Sequence, residues 1–168
     1  CKICDDVGIN LIFKSSFDKA NRSSIKSDRG IKLDDALKIF EKIKTNYNLP
    51  ILTDVHNEEQ CNQLKKDSII DIIQIPAFLC RQTDLLLAAG NTNKIINVKK
   101  GQFLSPTDVK NIFTKIETTD NKKIMITERG TTFGYNTLVN DFKGIDIMRK
   151  YKYPVIFDAP HSVQQPGG

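Results

Sequence analysis

The chain has 168 residues, 39% hydrophobic and 27% charged, with 25 Lys plus Arg against 20 Asp plus Glu and a net charge of +5. That describes one soluble globular domain, residues 1–168, with a sizeable core. No apolar run approaches the ~18 residues of a membrane span, no secretory leader is visible, and no basic stripe interleaved with aromatics points to nucleic acid. Anionic small molecules account for the positive excess better.

Cys1, Cys4, Cys61 and Cys80 are the only cysteines. Cys1-x-x-Cys4 has zinc or redox spacing but lacks a second pair, so two thiols on one helical turn in a reducing cytoplasm is the plainer account. Ile9–Phe13 is apolar apart from Asn10 and predicts a buried strand. A polar loop then runs to Gly30. Leu33 to Asn46 places Leu33, Ala36, Leu37, Phe40 and Ile43 at helical spacing, with Asp34 and Asp35 in the first turn and Lys42 and Lys44 in the last, as the helix dipole prefers.

Ile51–Thr53 predicts a short strand ending at Asp54 and His56, and Glu58 to Lys66 a weak helix. Ile69–Ile73 predicts a strand leading to Gln74, then Arg81 to Ala89 a helix stopped by Gly90. Ile95–Val98 predicts a strand ending in Lys99 and Lys100. Ser105-Pro106-Thr107-Asp108 starts a helix running to about Glu117, with Ser as cap and Pro at the first position. Ile124–Thr127 predicts a strand ending at Glu128 and Arg129, Thr137 to Lys150 a helix, and Val155–Phe157 a last strand ending at Asp158 and His161. Apolar strands separated by helices argue a parallel sheet buried on both faces. Each strand ends in a polar group, as at the mouth of a (β/α) barrel. A doubly wound sheet is the alternative, but it usually carries a glycine-rich phosphate turn, and none is present.

The stretch Lys14 to Ser24, K-S-S-F-D-K-A-N-R-S-S, fits neither helix nor strand. It is dense in donors for phosphate and hydroxyl oxygens: a planar Arg fork, Lys point charges, and short Ser and Asn donors. A bare charge cluster would be a solvated turn, but the order of these residues resembles the signature loop of the 3-deoxy-D-manno-octulosonate 8-phosphate synthase family. Thr53-Asp54-Val55-His56, Gln74-Ile75-Pro76-Ala77-Phe78-Leu79, Arg81-Gln82-Thr83-Asp84, Asn97-Val98-Lys99-Lys100-Gly101-Gln102-Phe103, Glu128-Arg129-Gly130 with Phe133-Gly134-Tyr135, and His161-Ser162-Val163-Gln164 resemble that family in the same order and spacing.

The resemblance implies a (β/α)8 TIM barrel, a cytoplasmic homotetramer, and condensation of phosphoenolpyruvate with arabinose 5-phosphate in lipopolysaccharide synthesis. It places Lys99 and Arg129 on the phosphate of phosphoenolpyruvate and Lys19 by its carboxylate, with Gln74 and the Ala77 backbone seating it. It makes Arg22 and Ser23 the sugar-phosphate clamp with Asn21 alongside, and sets Lys14 and Asp54 near the aldehyde. Arg81 would reach the sugar phosphate of a neighbouring subunit. Asp54 as a helix cap, Asp158 as a structural acid and His56 as a hydrogen-bonded structural residue are the competing readings.

Metal use divides the family. Metal-dependent members ligate a divalent ion with a Cys of the first strand, the His matched by His161, and two acids beyond the seventh strand. Metal-independent members carry Asn for that Cys, and the deciding position lies upstream of Cys1. The Q-Q-P-G-G ending resembles members that use metal. Pro160 departs from the family, where Thr usually precedes this His, and removes a backbone donor.

Six strands are countable where the implied barrel has eight. The expectation is an incomplete barrel, strands two to seven present, first and eighth missing. Alternatives are an inactive remnant of that enzyme and the related aldolase using erythrose 4-phosphate. Barrels remove sheet edges by closing, so the expectation for these residues by themselves is an inactive, poorly folded chain. Two of eight strands could carry all of the ~5–15 kcal/mol of a domain. Cooperative melting together with phosphate release from the two substrates would overturn it.

Overall fold

A computed structural model describes residues 1–166; the last two glycines of the Q-Q-P-G-G run lie outside them. Among the described residues, six parallel strands form one sheet, accompanied by seven α-helices and a separate two-stranded hairpin. No helix among them is long and apolar enough to cross a membrane.

A five-residue helix α1 (Lys2–Asp6) buries nothing. β1 is only Phe13–Lys14, shorter than the predicted Ile9–Phe13. The ladder sets Phe13 opposite Ile51, and the residue before Ile51 is Pro50, which has no N–H to donate. Ile9, Leu11 and Ile12 therefore stay in irregular, exposed chain. α2 (Leu33–Tyr47) buries Leu33, Ala36 and Phe40 and is closed by Asn48 in the left-handed region.

β2 (Ile51–Asp54) is followed by α3 (Glu58–Lys65), whose cap is Asn57: its side chain accepts the Gln60 N–H. Asp54 is thus free of the capping role. β3 (Ile72–Ile75) starts three residues later than predicted. The Asp67 carboxylate takes the Ile69 and Ile70 N–H groups, at 2.8 and 2.9 Å, which turns that apolar stretch out of the ladder. Asp71 then accepts the Ile51 N–H and the Lys44 ammonium, fixing where β2 begins.

α4 (Thr83–Gly90) begins after Arg81, and β4 (Ile95–Lys99) is one residue longer than predicted. A single 3₁₀ turn at Pro106–Asp108 runs into α5 (Val109–Glu117); Ser105 bonds the Thr107 hydroxyl instead of capping. β5 (Ile124–Glu128) leads to a short antiparallel hairpin, β6 (Thr131–Thr132) with β7 (Leu138–Val139). That hairpin occupies the start of the helix predicted from Thr137. α6 is only Phe142–Arg149, capped by the Asp141 side chain on the Lys143 N–H. β8 (Val155–Phe157) and α7 (Ala159–Ser162) follow. Pro160 falls in the first turn of α7, where a missing N–H costs nothing.

The sheet order is β1-β2-β3-β4-β5-β8, parallel and sequential throughout. Among the described residues no reversal of order occurs, unlike the doubly wound alternative. Alternation along the strands separates two faces. Ile51, Ile73, Ile75, Ile96, Val98, Ile124 and Ile126 join Leu64, Leu85, Leu86, Ile112, Phe113, Ile116 and Met148 in one buried apolar layer under the helices. The opposite face is partly polar: Thr127 Oγ1 donates to Asn97 Oδ1 at 2.8 Å, and Asn97 Nδ2 donates to Gln74 Oε1 at 3.2 Å. Above that row stand the strand ends.

Candidate active site

Thr53 Oγ1 bonds the Ser15 carbonyl at 2.8 Å, continuing the link between β1 and β2 into the loop that follows. The loop is then closed on itself. Asp18 pairs with Gly30 as an isolated antiparallel bridge, and the Lys19 N–H reaches the Arg29 carbonyl at 2.7 Å. Arg29 clamps the Asp18 carboxylate through Nε at 2.9 Å and Nη2 at 2.6 Å. That fork holds the Asp18 carboxyl below its usual range. Gly30 has φ +111°, and a Cβ there would lie 2.2 Å from the Phe17 carbonyl oxygen. Only glycine permits this closure.

The closed loop and the strand ends enclose a cleft of about 340 Å³. Lys14, Asp54, Gln74 and Lys99 enter from β1, β2, β3 and β4; Arg129 follows β5, and His161 and Gln164 follow β8. Lys19, Asn21 and Arg22 enter from the loop, with Ser16, Asp18, His56, Pro76, Ala77 and Phe78 completing the walls. Arg22 Nε donates to the Asp28 carbonyl at 3.3 Å. Phe17, buried beneath, meets the His56 ring edge-on at 6.2 Å.

Crowded cations set the electrostatics. Burial pushes the Lys14 ammonium below its usual value; Asp54 and Asp158 oppose that and Lys19 and Lys99 reinforce it. Burial would raise the Asp54 carboxyl, but hydrogen bonds from His56 and Ser16 and the Lys14 charge hold it below the usual range. His56 Nε2 lies 3.2 Å from Asp54 Oδ2. Asp158 likewise overcomes its burial: Lys99, which it contacts directly, and His161 hold its carboxyl at about 2. Arg129 Nη2 donates to the His161 carbonyl at 3.2 Å and to Gln164 Oε1 at 3.1 Å, while its Nε and Asp54 Oδ1 are buried with no protein partner. Unpartnered buried groups are costly, and at a cleft they mark where a ligand completes the bonding.

The DAHP synthetase I family model matches residues 2–168. The chain belongs to that family. Its similarity extends to proteins named 2-dehydro-3-deoxyphosphooctonate aldolase. That of Fusobacterium nucleatum subsp. nucleatum is 59% identical over 167 residues, covering 99% of this chain and 59% of that protein. That of Brucella ovis is 56% identical over 167 residues, covering 99% and 60%. The chain thus spans about three-fifths of the length of the curated relatives it matches.

Of the residues singled out in the sequence of this family member, Lys14, Lys19, Asn21, Arg22, Asp54, Gln74, Ala77, Lys99, Arg129 and His161 all line the one cleft. Ser23 does not; it is exposed on the loop beyond it. Arg81 is exposed in a separate groove of about 600 Å³ with Phe103, Asp108 and Asn111, and its carbonyl accepts the Lys115 ammonium at 3.0 Å. Ser16, Asp18, Phe78 and Gln164 line the cleft without having been assigned a role. Ser16 lies two residues from Lys14 and Asp18 directly before Lys19, and Gln164 closes the H-S-V-Q motif.

Among the described residues, no group of three His, Cys, Asp or Glu could hold a metal. His161 Nδ1 is instead 3.0 Å from Asp158 Oδ1 and 3.5 Å from Lys99. These residues by themselves do not make a metal site.

Replacing Gly30 with Ala is expected to strain the loop closure by roughly 1–3 kcal/mol. A lower melting temperature, together with a smaller rise in it on adding inorganic phosphate, would be read in thermal melts with and without that anion. Unchanged melts in both conditions would show that the closure is not needed.

Proposed function

We propose that this chain is the greater part of a 3-deoxy-8-phosphooctulonate synthase catalytic domain. Its six strands are then strands two to seven of a (β/α)8 barrel, with the first and eighth outside the chain. The substrates are phosphoenolpyruvate and arabinose 5-phosphate, and the setting is cytoplasmic lipopolysaccharide synthesis by a homotetramer. The names of the curated relatives support this reading. The observation that carries it is the gathering of cations in one cleft. Lys99 and Arg129 stand on adjacent strand ends, with Arg129 Nε lacking a partner, while Lys19 and Arg22 line the same cleft from the closed loop.

The reaction joins C3 of phosphoenolpyruvate to the sugar's aldehyde carbon. Water adds at C2 of the former enolpyruvate, and inorganic phosphate leaves. The two partners are anions, so neutralisation and orientation dominate the catalytic work. Lys99 and Arg129 hold the phosphate of phosphoenolpyruvate, with Lys19 at its carboxylate. Gln74, kept in one orientation by Asn97, and the backbone at Ala77 seat the enol. Arg22, with Asn21 and Ser23, takes the sugar phosphate, and Arg81 reaches that of a neighbouring subunit. Lys14 and Asp54 meet the sugar oxygens near the aldehyde. Burial makes Lys14 a readier proton donor to the alkoxide that forms there, since its ammonium releases a proton below the usual lysine range. His161, against Asp158, orders the far wall.

The description of the matching family keeps a second reading in view: the related aldolase that takes erythrose 4-phosphate. Offering both sugars with phosphoenolpyruvate, and following the rise in melting temperature each causes, separates the two. A larger shift with erythrose 4-phosphate would overturn the proposal.

Two substitutions test the site itself. In a version that carries all eight strands, Arg129→Ala and Lys99→Ala each remove a charge-assisted phosphate contact worth roughly 1.5–3 kcal/mol, so each is expected to weaken phosphoenolpyruvate by about ten- to a hundredfold. Ligand-dependent melting reports this without needing turnover. Parent-like affinity in either variant would remove that residue from the site. Arg22→Lys keeps the charge but loses the bidentate fork. It is expected to weaken arabinose 5-phosphate while phosphoenolpyruvate binding stays nearly unchanged; equal weakening of both would argue against the clamp.

A further inference from the structure

Two sequence pairs, Lys99-Lys100 and Glu128-Arg129, sit at the ends of adjacent parallel strands. Alternation sends neighbours to opposite faces of the sheet. Lys99 and Arg129 line the cleft. Lys100 and Glu128 continue the rows Ile96, Val98 and Ile124, Ile126 on the helix-facing side, at 0% and 4% exposure. There they face each other, with Lys100 Nζ 3.5 Å from Glu128 Oε2. Two cations thus point at the cleft, and an ion pair lies directly behind them.

Each member of that pair has a second set of bonds. Glu128 Oε1 accepts the N–H of Arg129 at 2.9 Å and of Gly130 at 2.7 Å. Two successive amides held by one carboxylate oxygen turn the backbone sharply, and Gly130 takes φ +94° there. Lys100 Nζ donates to the Leu104 carbonyl at 3.1 Å and to Thr131 Oγ1 at 3.3 Å, tying in the loop after β4 and the hairpin strand β6. The Arg129 side chain leaves this turn toward His161 and Gln164.

We infer that Lys100 and Glu128 are positioning residues: Glu128 clamps the backbone of Arg129 and Gly130, and Lys100 holds Glu128, so that Arg129 and Lys99 present fixed donors to a phosphate. This rests on the functional reading above, in which Lys99 and Arg129 bind that phosphate. The pair touches no substrate. Its effect is exerted through the direction of the Arg129 guanidinium, whose fork rewards fixed geometry more than charge alone.

The test separates the clamp from the buried charge. K100M/E128Q removes both charges but leaves Gln a carbonyl oxygen for the two amides. K100M/E128L removes the charges and the acceptor together. Binding of phosphoenolpyruvate, read from ligand-dependent melting, is expected within about threefold of the parent for K100M/E128Q. K100M/E128L is expected to bind about ten- to a hundredfold more weakly, the loss of one oriented charge-assisted contact. The inference is overturned if folded K100M/E128L binds as the parent does, or if both double variants lose binding equally.

Amide hydrogen exchange in the unsubstituted chain gives a second measurement that does not depend on a variant folding. Slow exchange at Arg129 and Gly130, comparable with Ile126 and Thr127, supports the clamp. Fast exchange at those two amides, with the β5 amides protected, overturns it. A parent that binds no phosphoenolpyruvate removes the functional reading, and the exchange rates then decide the clamp by themselves.

Discussion

The hydrogen-bonded parallel ladder is the constraint on which the rest depends. In parallel pairing every strand runs the same way, so every strand's final residues reach the same rim. The registers Asp54 to Gln74, Gln74 to Asn97, and Lys99 to Thr127 show the rows advancing together across the sheet. Because side chains alternate, one row can be wholly apolar under the helices while its neighbour carries amides, carboxylates and ammonium groups. Stability and chemistry are thereby assigned to opposite faces of the same strands. Ile96 and Val98 seal the core, while Asn97 and Lys99 between and beyond them belong to the other side.

A rim built this way gathers charge of one sign, which is unfavourable until a ligand arrives. The carboxylates limit that cost. Asp158 on Lys99 and Asp54 beside Lys14 and His56 remain ionised in spite of burial because the cations around them repay it. The arrangement resembles a set of loosely matched pairs that an incoming anion can compete for. In the proposed function Lys99 exchanges one carboxylate neighbour for a phosphate without being left uncompensated, whereas Lys100 is closed in behind with Glu128. Neighbouring lysines in the sequence are therefore physically unlike.

Much of this was legible in the residues. Strand–helix alternation, the polar ends of apolar strands and the motif-bearing loop foretold the parallel sheet and most of the cleft. What escaped had local causes. Ile9 to Ile12 have the composition of a strand but no partner beside Pro50. Ile69 and Ile70 lie where Asp67 captures their amides. The stretch after Arg129 forms a hairpin because the chain reverses between Phe133 and Thr137, with Gly134 and Asn136 at positive φ, a backbone event that periodicity does not report. Lys100 and Glu128 read in the sequence as strand-end charges, but which of two adjacent charges faces the cleft depends on register, and register is set by pairing partners far away in the sequence. Gln164 was within a quoted motif yet gained a role only once Arg129 was found against it.

The closed loop after β1 carries a thermodynamic consequence. Its two ends are joined by the Asp18–Gly30 bridge, the Lys19-to-Arg29 backbone bond and the Arg29 fork on Asp18, so the eleven-residue excursion from Lys19 to Arg29 starts and finishes at one place. Much of the entropy of bringing those ends together is spent when the domain folds, before any ligand is present. In the function proposed above, Lys19 and Arg22 therefore meet an anion as partly ordered donors, and less of the contact energy is consumed in arranging them. Selection on this loop can then act separately on its two parts. The stem determines whether the donors are held ready, and at the tip the Ile25 side chain, almost fully exposed, is free to vary in composition without disturbing them.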